Sequence, residues 1–80
     1  AALEATRQAV LAGAKSPLCY HMERRQMTPE ILGKTARLAA FRVKRHLRPD
    51  VFAGLSPSVL DRYARALAVS REELKTVPQT

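Results

Sequence analysis

The sequence predicts an all-α domain, on the evidence of its helix-start signals and its apolar spacing. Three pairs place a hydroxyl residue before a proline: Ser16-Pro17, Thr28-Pro29 and Ser56-Pro57. A hydroxyl can cap the first turn of a helix, and a proline at the first helical position loses no intrahelical bond. Ser70 and Glu73 form a capping box at a fourth helix start. The apolar/polar alternation that is typical of strands is absent.

These signals divide the chain into a bundle of five to six short helices. The predicted helices cover residues 2–12, 17–25, 29–36, 39–48, 57–68 and 71–77. Gly13 can close the first helix, and a short break falls near Arg37-Leu38. The segment 49–55 is predicted as a loop with room for one helical turn ended by Gly54. The fifth predicted helix has the clearest apolar face, formed by Leu60, Tyr63, Ala64 and Leu67.

The charge of the chain indicates an anionic partner. Eighty residues form one domain with a small core. Fourteen Lys and Arg against seven Asp and Glu give a net charge of +7. This excess favours nucleic acid, an acidic membrane or an acidic protein as the partner. The alternative is a GC-rich genome, whose codons favour Arg and Ala without any partner.

Several classes of protein are excluded by composition. A single cysteine, Cys19, allows no intrachain disulfide, which favours the reducing cytoplasm. Together with His21 and His46 it offers too few zinc ligands, at no recognised spacing. No apolar stretch reaches the roughly 20 residues of a membrane span. Glu4 and Arg7 lie within the apolar part of the N-terminal segment, which is not expected of a signal peptide. We therefore expect a cytoplasmic protein without metal, cofactor or small-molecule substrate, and without a membrane partner.

The cations are concentrated in one stretch of the chain. Six of the fourteen lie between Lys34 and Arg48, where no acid occurs. At 100° per residue, one face of the fourth predicted helix is apolar and carries Ala39, Ala40, Val43 and Leu47. The opposite face is cationic and carries Phe41, Lys44, Arg45 and Arg48, with Arg42 at its edge. Such a helix fits the major groove of DNA, where Arg reads guanine and an apolar side chain touches a thymine methyl.

Two alternatives stay open for this stretch. The cationic run can be a merely solvated face, although solvated helix faces usually mix the two signs of charge. Phe41 contacts bases, turns inward toward Leu38 or covers a neighbouring helix. We predict that His46 lies on the helix surface or is partly packed.

No constellation of residues indicates an enzyme. Cys19 and His21 stand two apart on a helix, so their side chains point in different directions. A buried Cys19 is the preferred interpretation, because free cysteine behaves as a small hydrophobe. Asp61 and Arg65 are interpreted as an i,i+4 pair on a solvated helix. We therefore expect no catalytic residues.

Two segments resemble a known family. The first runs from Tyr20 to Leu38, YHMERRQMTPEILGKTARL, and the second runs from Leu60 to Leu74, LDRYARALAVSREEL. They resemble, respectively, the first two helices and the end of the Cro/C1-type (XRE) helix-turn-helix domain. The second segment follows the form L-x-x-[LY]-A-x-A-L, then x-V-S-x-x-E-L. The resemblance implies a lambda-repressor-like fold over residues 16–77, with residues 1–15 as an extra helix packed on it and 78–80 as a tail.

By position, the resemblance makes helix 29–36 the supporting helix and helix 39–48 the recognition helix. It implies a sequence-specific repressor of bacterial, plasmid or phage origin that binds a palindromic operator in double-stranded DNA as a homodimer. The expected base or groove contacts are Ala40, Phe41, Arg42, Lys44 and Arg45. The expected phosphate contacts are Thr28, Lys34, Arg37 and Arg48. The candidate dimer surfaces are Leu3, Val10 and Leu11, or Leu74 and Val77.

The sequence departs from the family pattern at three positions of the helix-turn-helix segment. Pro29 stands where the family often has a DNA-contacting Gln. Arg37 stands where the turn often has Gly, and a positive φ costs Arg more, so we expect the turn to differ in shape. Ala39 replaces a common Ser or Thr cap, so we expect a different start of the recognition helix. The loop 48–55 is also longer than usual.

Two further hypotheses belong to other classes of function. The chain can be an antitoxin of a toxin–antitoxin pair, which autoregulates its operon and binds an acidic toxin through another face. Alternatively, it can be an adaptor that binds an acidic protein or a membrane through the arginine strip.

Overall fold

Seven helices make up the part of the chain that a computed structural model describes, residues 2–79. They are α1 (Ala2–Leu11), α2 (Pro17–Arg24), α3 (Pro29–Ala36), α4 (Ala40–His46), α5 (Pro49–Ala53), α6 (Pro57–Leu67) and α7 (Arg71–Leu74). No strand occurs in this range, so the all-α prediction is confirmed. The number of helices exceeds the predicted five to six because the segment 49–55 forms α5.

Three of the four predicted caps are formed as expected. The Thr28 hydroxyl accepts a hydrogen bond from the N–H of Ile31, and the Ser56 hydroxyl accepts one from the N–H of Val59. At Ser70 both halves of the capping box are present. The prediction is wrong at Ser16, whose hydroxyl is buried and donates instead to the carbonyl of His46, 3.1 Å away.

The boundaries of α4 differ from the predicted 39–48. Ala39 is the exposed residue before the helix, with an extended backbone at φ −64° and ψ 143°, so its predicted place in the core face is wrong. The helix ends at His46, and Arg48 has an extended backbone at φ −78° and ψ 134°. The following proline explains this end, because it disfavours the helical region for the residue before it. Arg48 therefore lies outside α4, although the sequence predicted it as the last residue of this helix.

The core lies between α2, α3, α4, α5, α6 and α7. Its completely buried members are Leu18, Leu32, Val43, Tyr63, Leu67 and Leu74. Phe52 of α5 adds an aromatic ring to the same cluster. Since Leu74 and Val77 are both buried, the proposal that they form an exposed dimer surface is wrong.

Helix α1 packs against α2, outside this core cluster. The Thr6 hydroxyl donates a 2.7 Å hydrogen bond to the carboxylate of Glu23. The guanidinium of Arg7 donates to the carbonyl of Pro78 at 2.8 Å, which fixes α1 to the end of the described chain. Gly13 follows α1 with a φ of +81°, as the predicted helix end requires. Leu11 is exposed, while Leu3 and Val10 are half-buried.

Candidate nucleic-acid interface

A tight turn joins α3 to α4. Arg37 adopts a left-handed conformation, with φ +60° and ψ 48°. The carbonyl of Gly33 accepts hydrogen bonds from the backbone N–H groups of Arg37 and Leu38. The turn therefore has the positive φ that a glycine would supply, although this conformation costs arginine more than glycine. Leu38 is buried in the core.

Gly33 lets the two helices approach each other closely. A Cβ atom at this position would stand 2.5 Å from the carbonyl oxygen of Leu38 and 3.5 Å from the backbone nitrogen of Ala40. Only a residue without a Cβ fits at the first of these distances. Gly33 was not among the predicted site residues, although a glycine inside a helical pattern can signal close packing.

Three sets of contacts hold α4 in place. Val43 is completely buried, as predicted for its core face. A hydrogen bond of 2.6 Å joins Nδ1 of His46 to the hydroxyl of Tyr63 on α6. At the end of α4, the backbone N–H of Ser16 donates to the carbonyl of Leu47, beside the hydroxyl contact with His46.

The buried position of His46 contradicts the prediction of a surface or partly packed imidazole. Burial lowers the pKa of His46 below its usual range, and the nearby guanidinium groups of Arg42 and Arg45 lower it further. The imidazole is therefore more easily kept neutral than a histidine in water, which suits its hydrogen bond with Tyr63.

The opposite side of α4 is exposed and contains no acid. It consists of Phe41, Arg42, Lys44 and Arg45, which we call the α4 outer face. Phe41 is 65% exposed, so it points outward and does not pack toward Leu38. Arg42 and Arg45 form no ion pair among residues 2–79. Ala40, the fifth predicted groove residue, is half-buried.

Lys44 differs from the two arginines because it has a partner. Its Nζ atom lies 3.4 Å from the carboxylate of Glu30 on α3. The pKa of Glu30 is lowered, first by its own backbone N–H and then by Lys44. Both side chains are largely exposed, and exposed pairs of this kind are weak. A stronger anion can therefore displace Glu30 from Lys44.

The predicted phosphate residues lie in different settings. Lys34 and Arg37 are exposed, on α3 and on the turn. The Thr28 hydroxyl oxygen accepts the capping hydrogen bond of α3, and a hydrogen bond from this side chain also lowers the pKa of the neighbouring Glu30. Arg48 lies beyond α4 and pairs with Asp50 at 3.4 Å, where both side chains are exposed.

Helix α6 adds two cations that the sequence analysis did not assign to the site. A polar groove between α3 and α6 is lined by Arg37, Arg62 and Arg65, and Arg62 donates to the carbonyl of Arg37 at 3.3 Å. Asp61, also in the groove, accepts hydrogen bonds of 2.9 Å from Nε and Nη2 of Arg71. The predicted pair of Asp61 with Arg65 is therefore wrong, and Arg65 forms no ion pair within the described chain.

The other reactive side chains lie away from this surface. Cys19 is buried, as predicted, and its thiol donates to the carboxylate of Glu23 at 3.3 Å. Burial and this carboxylate raise the pKa of Cys19 to about 11, which leaves the thiol protonated. Across residues 2–79 no three His, Cys, Asp or Glu side chains gather as metal ligands. No helix in this range has the length and apolar character that a membrane span requires.

Comparison with protein-family models, with curated proteins and with solved structures gave no match to this chain.

Proposed function

We propose that the chain is a sequence-specific transcriptional repressor that binds double-stranded DNA through the α4 outer face. In this proposal α3, the turn at Arg37 and α4 act as a helix-turn-helix, with α4 as the recognition helix. The observation that carries the proposal is an exposed, acid-free α4 outer face, with an outward phenylalanine and two arginines that form no ion pair within residues 2–79.

The chemistry of the α4 outer face suits the edges of base pairs. Guanidinium groups bind the O6 and N7 atoms of guanine in a two-pronged contact, and a phenyl ring can contact the thymine methyl. Arg45 stands one helical turn after Phe41, so the two side chains can reach neighbouring base pairs. An aromatic ring that is 65% exposed loses contact with water when it enters a groove, which favours binding.

The surroundings of α4 suit the phosphate backbone. Lys34 on α3 and Arg37 on the turn are exposed beside it, and Arg62 and Arg65 extend the positive surface along α6. Each phosphate neutralised by such a cation releases counterions, which favours binding at low salt. The pairing of Lys44 with Glu30 is weak enough for a phosphate to replace the carboxylate.

The repressor role, the palindromic operator and the homodimer are parts of the proposal that depend on the resemblance to the Cro/C1-type family. A protein with this role would act in the cytoplasm, on the operator of its regulated gene. Its origin in a bacterial, plasmid or phage genome belongs to the same proposal.

Selection of binding sites from random DNA, followed by two arginine variants, tests the proposal. Arg45→Ala should lose about 1–3 kcal/mol on the selected site and relax the preference at one base pair. Arg48→Ala is the matched control, because Arg48 lies outside α4 and pairs with Asp50. It should weaken binding to selected and random DNA alike. Failure to select any site, or equal losses on both DNAs for both variants, would overturn the proposal.

A further inference from the structure

A second surface, separate from α3 and α4, has the form of a docking groove. It is an open groove of about 600 Å³ between the end of α1, α5 and the segment that follows α7. Leu11, Phe52, Leu55 and Val77 give it an apolar lining. No residue of α3 or α4 lines it, so an occupant would leave the α4 outer face free.

The exposure of Leu11 indicates that the groove is not closed by the chain itself. Leu11 is 43% exposed, and the two other large exposed apolar side chains in the described range, Ile31 and Phe41, lie on α3 and α4. Leu11 therefore presents apolar surface that residues 2–79 do not cover. Covering it with an apolar side chain of a partner is favourable, in proportion to the area removed from water.

The charges at the groove identify the class of occupant. Lys15 and Lys75 line it, no Asp or Glu does, and neither lysine forms an ion pair within residues 2–79. A ligand that presents carboxylates beside its apolar side chains would satisfy both lysines, since complementary charge favours the correct partner.

The same charges disfavour a second copy of this chain. A two-fold interface brings the same patch of both copies together, so the lysines of one copy would face those of the other. The groove lining supplies no carboxylate to separate them. DNA is also a poor occupant, because the lining is mainly apolar and offers phosphates only the two lysines.

We infer that this groove, the α1–α5 groove, binds an acidic amphipathic segment of a partner protein. The apolar side of the segment would cover Leu11 and enter between Phe52 and Leu55, while its carboxylates would contact Lys15 and Lys75. This inference does not depend on DNA binding by α4.

Two synthetic peptides of about four helical turns test the inference. Both carry leucines at positions i, i+3, i+4 and i+7, and their remaining positions are mainly Glu in one peptide and Lys in the other. The protein should bind the Glu peptide at least about tenfold more tightly than the Lys peptide, by fluorescence anisotropy. Equal affinities, or no binding of either peptide, would overturn the inference.

Matched variants then locate the binding site. Leu11→Asp should weaken binding of the Glu peptide by about tenfold or more. Ile31→Asp, which changes an aliphatic residue of similar exposure on α3, should leave this binding unchanged. Lys75→Glu should weaken it more than Lys34→Glu, although both change the net charge by the same amount. Circular dichroism checks that each variant is folded.

Two results would give a different explanation of the binding. Equal effects within either pair of variants would assign the binding to general charge attraction. Concentration-dependent self-association that Leu11→Asp abolishes would assign the groove to a second copy of the chain. Both results contradict the inference.

Discussion

Helices α4 and α6 both carry arginines, but they use their side chains differently. Helix α6 has eleven residues and buries four of them, Leu60, Tyr63, Ala64 and Leu67. Helix α4 has seven residues and buries only Val43 and His46. The aromatic residue of α6 is completely buried, while that of α4 is 65% exposed. Most of the surface of α4 is therefore left for contact with something outside the described chain.

The comparison shows how a short helix can be held in position by the fold while most of its surface stays exposed for binding. Helix α6 is positioned by its own apolar face. Helix α4 is positioned by the single buried side chain of Val43 and, at its ends, by the close approach at Gly33 and the hydrogen bonds around His46. Its outer face is then under little constraint from folding. Stability and binding should therefore respond to different substitutions.

A substitution on each helix tests whether stability and binding depend on different residues. The substitution on α6 has the largest expected effect on stability. Leu67 is completely buried, so Leu67→Ala should lower the free energy of unfolding by about 2–5 kcal/mol. Phe41→Ala should change it by less than about 0.5 kcal/mol, as is usual for surface residues. Urea unfolding measures both. A loss above about 1 kcal/mol in Phe41→Ala would mean that the phenyl ring supports the core and is not free for contact.

The junction of α3 and α4 gives the next largest effect. Gly33→Ala places a Cβ 2.5 Å from a backbone oxygen, which cannot rotate away. The strain should exceed the roughly 1 kcal/mol that alanine gains over glycine inside a helix, for a net loss of about 1–2 kcal/mol. DNA binding should weaken as well, because α4 must move.

Gly54→Ala is the matched control for this junction. A Cβ at Gly54 would meet its nearest neighbour at an ordinary 3.7 Å, and the backbone φ there is negative. Its stability should therefore equal or exceed that of the unmodified chain. If Gly33→Ala is as stable as Gly54→Ala, the close approach does not fix the position of α4.

The smallest effect concerns pH and the connection of α4 to α6. The pKa of His46 is lower in the folded chain than in water, so the unfolded chain binds the proton more readily. Stability from this group is complete above the usual pKa of about 6.5 and decreases as the pH falls below it. The charges that face the ring come from Arg42 and Arg45, and α6 contributes the Tyr63 hydroxyl.

Unfolding by urea at pH 7.5 and 5.5 measures this effect. The chain should be less stable at the lower pH, and His46→Gln should reduce the difference. Equal pH dependence in the two proteins would show that His46 is not the group responsible.

The sequence predicted the helix starts well because capping is local chemistry. The hydroxyls of Thr28, Ser56 and Ser70 each act within three residues of their own position. Helix α2 begins after Ser16 as predicted, but the hydroxyl cap predicted there is not formed, because the hydroxyl contacts a residue 30 positions away. The burial of His46 depends in the same way on Tyr63, which lies in another helix.

The candidate site was predictable only where one helix carries it. Helical periodicity placed Phe41, Arg42 and Arg45 outside, and Val43 inside. Contacts between helices were not predictable from spacing. Examples are the pairing of Lys44 with Glu30 on α3 and the position of Arg62 beside the turn.

The salt dependence of DNA binding tests the central claim most directly, with two double variants of equal charge change. The logarithm of the binding constant should fall steeply with the logarithm of salt concentration in the unmodified chain. The double variant Lys34→Ala, Arg37→Ala removes cations beside α4, and its slope should be shallower by about 2, since each phosphate contact contributes about 0.9. The double variant Lys15→Ala, Lys75→Ala removes cations from the α1–α5 groove and should keep the slope of the unmodified chain. A flat slope in the unmodified chain, or equal reductions in the two double variants, would contradict DNA binding through α4 and its surroundings.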